Sequence, residues 1–298
     1  MDKQRLKKVL IGDLSWKRLL KSLIFIYLFF AGYVYFRADR MIFLPQPSSY
    51  QDTEEILKLK SQGETKISAV HLVNPTANYT ILYAHGNAED LGDIKQLLEK
   101  LRDFGFNVLA YDYRGYGTSA GIPTEKNAYH DIDAAYNYLV QDLKILPQNI
   151  IVFGRSVGGG SAVDLAVRQP VGGLILESTF TSAFQVIIPA KILPFDKFNN
   201  IDKIQQVTCP VLIMHGKADE TIPLAHAKKL YAAAPSPKLA LWVEDATHND
   251  FFWVAGERYE NILREFTKIL KKNERSPLFT HKLVGRGMIN ENYQDSTD

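Results

Sequence analysis

The chain has 298 residues, 46% of them hydrophobic and 23% charged, with a formal net charge of +2. That is ordinary for a globular protein with room for one large domain or two small ones, and no basic excess points to a nucleic-acid groove. One cysteine, Cys209, excludes an intramolecular disulfide without fixing the compartment.

The positive charge is uneven. Lys3, Arg5, Lys7, Lys8, Lys17, Arg18 and Lys21 crowd the start, and Ser22 to Phe36 then runs uncharged and mostly large and apolar. As a helix this run reaches about 22 Å, short of a ~30 Å hydrocarbon core. Leu19 and Leu20 extend it if Lys21 snorkels, and Arg37 can do the same at the far end. Tyr27, Tyr33 and Tyr35 suit interfacial anchoring. Residues 19–37 are read as a single-span membrane anchor. A cleaved signal peptide is weakened by the lack of an Ala-x-Ala site, and an interfacial helix is the third reading. A spanning helix would keep the basic start cytoplasmic and favour an extracytoplasmic body; an interfacial one would leave the body in the cytoplasm. Pro45-Gln-Pro-Ser-Ser49 is a short linker, so residues 1–45 form an N-terminal unit.

Ile56 to Val73 predicts two strands broken at Ser61-Gln-Gly63, an antiparallel pair. Alternation follows. Strands are expected at Thr80–Ala84, Asn107–Asp112, Asn149–Phe153, Leu174–Leu176, Val211–Met214 and Leu239–Val243. Helical spacing marks Asp90–Phe104, Glu125–Leu143, Ser161–Val167, Leu224–Ala233 and Asp250–Leu270. Strands alternating with helices imply right-handed crossovers and a mostly parallel sheet with helices on both faces, a three-layer α/β fold. Apolar runs such as Ile150-Ile-Val-Phe153 suit strands buried on both sides. The expected catalytic domain covers residues 46–273, with residues 178–206 as a small lid and 274–298 as a polar tail. In such sheets the chemistry sits beyond the carboxyl ends of the strands.

Gly-x-Ser-x-Gly occurs twice, at Gly154 to Gly158 and at Gly117 to Gly121. The Ser156 copy directly follows a strand and precedes a helix, the setting a nucleophile elbow needs; Gly154 and Gly158 keep the turn's flanks small. Ser119 sits beyond its strand, ahead of Ile122-Pro123, and reads as a turn serine. No Gly-Lys-Ser/Thr follows either copy, which weakens a phosphate-binding reading. A serine hydroxyl needs a base. Of His71, His85, His130, His215, His226, His248 and His281, only the last two leave room for an acid between the late strand near residue 215 and the base, and His248 is favoured in its loop after the last strand. The acid is Asp219 or, next to it, Glu220, with Asp219 favoured; helix capping is the bland alternative for either. The oxyanion donors are expected to be the Val157 amide, after the nucleophile, and an amide of the His85-Gly86-Asn87-Ala88 loop, Asn87 ahead of Ala88. His85 itself reads as a hydrogen-bonded structural residue. No His-Glu-x-x-His or Cys/His set is present, so neither a metal nor another cofactor is expected.

The segments AHGNAED, YDYRGYGTSAG, GRSVGG, LESTFTS, HGKADETIP and THND, in this order, resemble the α/β-hydrolase superfamily from about Ile67 to Leu270. They are similar to the membrane-associated branch that includes eukaryotic protein depalmitoylases and monoacylglycerol lipases, with serine aminopeptidases more distant. The resemblance implies a nucleophile at Ser156, an acid at Asp219 and a base at His248, the set that spacing also favours. It implies hydrolysis of acyl esters or thioesters, from a lipid or an acylated protein. The depalmitoylases attach to membranes through an N-terminal cysteine cluster that this chain lacks, so its contact falls to the apolar segment. Ala246-Thr247 stands where relatives often carry two glycines. The lid's Phe180, Phe184, Val186, Ile187, Ile188, Ile192, Leu193 and Phe195 either contact an acyl chain or pack on the core. A peptidase, with Glu177 holding a substrate amine, and a non-catalytic hydrolase-fold protein are the alternatives.

Overall fold

The computed structural model describes residues 15–188 and 192–274. His281 and the expected polar tail beyond Glu274 lie outside the described residues, as does the basic run before Ser15.

One sheet organises the molecule. Its strands are β1 (Leu57–Lys60), β2 (Lys66–Leu72), β3 (Thr80–Ala84), β4 (Asn107–Tyr111), β5 (Ile150–Arg155), β6 (Gly173–Glu177), β7 (Val211–Gly216) and β8 (Lys238–Val243), in the order β1-β2-β4-β3-β5-β6-β7-β8. β1 pairs antiparallel with β2, and β2 with β4; every later pair is parallel. The antiparallel start and the parallel body are as the sequence implies.

The period-two alternation of each strand sends side chains to two cores. Leu82, Val152, Leu174 and Ile213 meet Ala128, Ile132 and Ala135 of a helix α3 (Glu125–Asn137), Ala162 and Leu165 of α4 (Gly158–Arg168) and Leu230 of α7 (Ala225–Ala233). Their neighbours Ile81, Ile151, Ile175 and Leu212 point the other way. They meet Leu98 and Leu101 of α2 (Lys95–Asp103), Phe251 of α8 (Phe251–Ala255), and Leu263 and Phe266 of α9 (Glu257–Glu274). Strands covered on both faces read as apolar runs for this reason.

Several boundaries shift for local reasons. Asp90 to Ile94 forms turns ahead of α2, because Asp90 Oδ1 accepts from the amides of Gly92 (2.9 Å) and Asp93 (3.3 Å). α3 passes into a π-helical turn at Tyr138–Asp142. The closing helix is two pieces, split at Gly256, whose φ of 54° leaves helical space.

Among the described residues, one helix is long and apolar enough to cross a membrane: α1, Trp16–Ile42. It runs beyond the uncharged stretch, through Arg37 and Arg40. Trp16 to Phe30 is exposed throughout, whereas Ala31 and Ala38 are buried and Phe43 enters the core against Tyr113, Tyr116 and Phe198. Between β6 and β7 lie two short helices, α5 (Ala183–Ile187) and α6 (Asn200–Lys203), in the segment expected as a lid.

Candidate active site

The candidate residues gather past the carboxyl ends of β3, β5, β7 and β8. Ser156 follows β5 with φ of 52°, a left-handed conformation that costs a non-glycine residue about 1–2 kcal/mol. Its neighbours hold it there. Its amide donates to Glu177 O (2.9 Å), and its carbonyl accepts from Thr179 Oγ1 (2.7 Å). The flanking glycines are required by close approach: a Cβ on Gly154 would stand 2.6 Å from Gly158 O, and one on Gly158 would stand 2.1 Å from Ala84 O. The helix can therefore start directly under the sheet edge, with the hydroxyl at the turn's crest.

The loop after β8 brings His248 over this turn. Its Nε2 lies 3.0 Å from Ser156 Oγ and its Nδ1 2.8 Å from Asp219 Oδ2. Asp219 follows β7 and is buried, whereas Glu220 beside it is exposed. Burial works against the Asp219 charge, but the hydrogen bond to His248 and the amide of Ile222 (2.8 Å to Oδ1) hold its carboxyl below the usual range. The amide of Thr221 also donates to Oδ1 (3.0 Å), so the carboxylate is aimed by its own turn. His215 is buried against it, with Nε2 2.7 Å from Ile222 O and 3.3 Å from Asp219 Oδ2; burial lowers its pKa.

The two expected oxyanion amides sit on the turns after β5 and β3. Among the described residues, no acceptor takes the main-chain N–H of Val157 or of Asn87. Ala88 differs, because its amide donates to Asn87 Oδ1 (3.0 Å). His85 is buried, with Nδ1 2.7 Å from Gly86 O and Nε2 3.3 Å from Asp112 Oδ1. Burial opposes its charge, but Asp112 more than offsets this and raises its pKa. Its setting is structural, as the sequence implies. Ser119 Oγ donates to Asp112 O (3.0 Å) and accepts from Ser68 N (2.8 Å), which spends it on the main chain.

Two features escaped the sequence reading. The first is Arg155, the variable residue ahead of the serine. Its Nη1 meets Glu89 Oε2 (2.6 Å), its Nε lies 3.5 Å from Glu177 Oε1, and its Nη2 donates to the carbonyl of His248 (3.1 Å). Glu89 in turn accepts from the amide of Gly86 (2.5 Å). One guanidinium thus ties the turn at Ser156, the Gly86–Glu89 loop and the His248 loop. A charged residue inside an apolar strand-to-turn stretch was the available signal. The second is the Asn87 side chain. Its Nδ2 donates to Ile42 O (2.7 Å), and its Oδ1 accepts from Leu44 N (3.0 Å) and the Tyr116 hydroxyl (2.6 Å). It clasps the end of α1, and nothing in local sequence signals that.

Glu177 is not available to a substrate amine. It is buried, Oε2 accepts from the Tyr259 hydroxyl (2.7 Å), and burial raises its pKa despite Arg155.

Known proteins resemble this chain in sequence and fold. Residues 75–198 match the family model described as serine aminopeptidase, S33 (Hydrolase_4). Alpha/beta hydrolase domain-containing protein 17B of Homo sapiens is 42% identical over 207 residues, covering 68% of this chain and 72% of that protein. Protein 17C of Mus musculus is 43% identical over 195 residues, covering 64% of this chain and 60% of that one. The Pyrococcus furiosus esterase Pf2001 superposes with a TM-score of 0.64 at 19% identity, covering 75% of this chain and 98% of the esterase, a likeness of fold. From the motif order, the sheet topology and the 42% identity to the human protein, the chain belongs to the alpha/beta hydrolase domain-containing protein 17 family of α/β-hydrolases.

Proposed function

We propose that this hydrolase cleaves acyl esters or thioesters through Ser156, His248 and Asp219. The observation that carries the reading is the unbroken relay from Asp219 Oδ2 through both ring nitrogens of His248 to Ser156 Oγ, at 2.8 and 3.0 Å. Ser156 Oγ attacks the acyl carbon as His248 Nε2 takes its proton. Asp219 fixes the ring and stabilises its charged form. The Val157 and Asn87 amides, without acceptors among the described residues, receive the oxyanion. The tetrahedral adduct collapses to an acyl-serine, and His248 returns the proton to the departing alcohol or thiol. Water, deprotonated by His248, then releases the acid. Every proton in this cycle is handled by His248, so no cofactor is called for.

The substrate reading is an acyl chain on a lipid or a protein, met at a membrane to which residues 19–37 attach the enzyme. The lid supports it with mixed character. Phe180 is buried and Val186 packs on the core, but Ile187, Ile188 and Ile192 stand exposed. Phe184, Ile188, Ile192, Leu193 and Phe195 line a pocket of about 160 Å³. A peptidase reading draws on the matched family description, yet Glu177, its candidate amine holder, is consumed by Tyr259 and Arg155.

The test is turnover of p-nitrophenyl esters of increasing chain length, matching thioesters and aminoacyl anilides by the full-length enzyme in detergent. Esters and thioesters are expected to outpace anilides by at least about 100-fold in kcat/KM, a gap of roughly 2.7 kcal/mol in transition-state binding. A preference for anilides would reverse the assignment.

A further inference from the structure

A straight transmembrane crossing by α1 requires the catalytic body to hang from one end of the helix. The helix is instead built into the body along much of its length. Ala38 and Phe43 are buried, Asp39 Oδ1 accepts from the Glu125 amide (3.0 Å), and Lys197 Nζ lies 3.2 Å from the same oxygen. One helical turn earlier the rings of Tyr35 and Phe195 pack edge to face at 5.3 Å. Near the middle, the Tyr27 hydroxyl donates to Ile192 O (2.9 Å). From Tyr27 to its cap at Phe43, α1 therefore runs beside Ile192–Phe198.

Depth makes the difficulty plain. From Trp16 to Tyr27 the helix rises about 16 Å, roughly half of a ~30 Å hydrocarbon core. To complete a crossing, the turns from Tyr27 to Phe36 would have to enter the core as well, carrying Ile192–Phe195 with them and drawing Asp196 and Lys197 to its edge. The stretch from Ile192 to Phe198 has neither helix nor strand, and it holds Pro194, Asp196 and Lys197. Irregular backbone facing lipid does not occur at hydrocarbon depth, because its amides and carbonyls find no partners there.

We propose that α1 enters a single leaflet and lies along it, both charged ends at the headgroups, so that the catalytic domain stays on the side of the membrane that holds the chain's basic start. Lys17, Arg18 and Lys21 mark one end, and Arg37, Asp39 and Arg40 the other. Between them Leu23, Phe25, Leu28, Phe29 and Phe30 are each about half exposed or more. The partner is an anionic lipid leaflet: apolar side chains enter the acyl layer while the basic end meets acidic headgroups. The exposed Ile187, Ile188 and Ile192 continue this surface, joined to it through the Tyr27–Ile192 hydrogen bond. The lid pocket then opens beside the leaflet, where an acyl chain leaves the bilayer without crossing water. This deepens the membrane attachment proposed above and rests on it.

The test uses the full chain, made in the presence of ER-derived microsomes. Asn78-Tyr79-Thr80 is a glycosylation acceptor in the catalytic domain, and Asn78 is exposed. The expected result is a membrane-bound protein, resistant to salt extraction, with Asn78 unmodified and the domain digested by protease added outside. A glycosylated Asn78 together with a protease-protected domain would establish a crossing and overturn the inference. A protein that fails to sediment with the membranes would instead defeat membrane attachment itself. A second measurement reads the lid. An environment-sensitive dye on Ile187→Cys, in a Cys209→Ala background, is expected to shift to the blue with phosphatidylcholine/phosphatidylserine vesicles, while the same dye on Lys268→Cys does not. An unshifted dye at position 187 would remove the lid from the inserted surface.

Discussion

The two Gly-x-Ser-x-Gly segments make the sharpest comparison in the molecule. Both present a serine between glycines, and both serines are nearly buried. At Ser156 the strand has ended one residue before and a helix begins two residues on, so the main chain bends through φ of 52° and the hydroxyl is left facing a histidine. At Ser119 the chain has already left its strand, and the hydroxyl closes a turn between Asp112 O and Ser68 N. The hydroxyl's intrinsic chemistry is the same in both. Reactivity depends on whether the surrounding backbone leaves the oxygen an unspent partner that can take its proton.

Substitutions can break or sharpen that contrast. The largest effect is expected at the elbow itself: Ser156→Ala should lower kcat by about 10⁶-fold and abolish fluorophosphonate labelling, whereas Ser119→Ala should label fully. Full labelling of Ser156→Ala would void the assignment. Next comes Asp219→Asn, with a fall in kcat of about 10⁴-fold, because the amide cannot hold the same histidine tautomer. A steady-state assay showing less than a tenfold change would indicate that the carboxylate only shapes its loop. Arg155→Met should cost about 100-fold in kcat, the scale of a misplaced reacting group, with KM nearly unchanged. It removes the donor to the His248 carbonyl and leaves Glu89 and Glu177 without their cation. If KM rises while kcat holds, the guanidinium contacts substrate rather than positioning the histidine. The smallest effect is at the second serine: Ser119→Ala should cost about 1–3 kcal/mol of stability by leaving the Ser68 amide unpaired, with turnover unchanged.

Acid unfolding probes the same relay from another side. Asp219 has a folded-state pKa below its ordinary value of 3.8, so it contributes stability that is present above that value. The contribution is lost as pH falls through the lowered folded value. In urea titrations at stepped pH, Asp219→Asn should therefore separate most from the parent near neutrality and converge with it in strong acid. A gap that widens in acid would contradict the lowered pKa.

Much of this was legible in the chain. Strands such as Ile150–Arg155 announce themselves because residues buried on both faces must all be apolar, and the elbow is marked by its neighbours as much as by its serine. Order along the chain left His248 and His281 for the base, with His248 favoured by its loop, and Asp219 or Glu220 for the acid; the fold buries Asp219 against His248 and leaves Glu220 exposed, a difference that adjacent residues in a sequence do not show. Three glycines at the head of α4 hid its first turn, since glycine is a poor helix former and propensity does not register packing that admits nothing larger. The reach of α1 past Arg37 was hidden as well. Charges there mark the end of an apolar run, yet Ala38 and Asp39 continue the helix because the catalytic body receives them. The partners of Arg155 and Asn87 could not be read, although the charge of Arg155 inside an apolar stretch marked it, because these contacts join segments tens of residues apart in the chain.

The clasp between Asn87 and the last turn of α1 bears on how the enzyme can be handled. Trimming the chain at Pro45 to obtain a lipid-free protein would remove Ile42 O and Leu44 N, two of the four groups that hydrogen-bond the Asn87 side-chain amide. Inhibitors ranked on such a shortened form would be selected against a slackened loop after β3, the proposed oxyanion cradle, and their order of potency would not carry over to the intact enzyme.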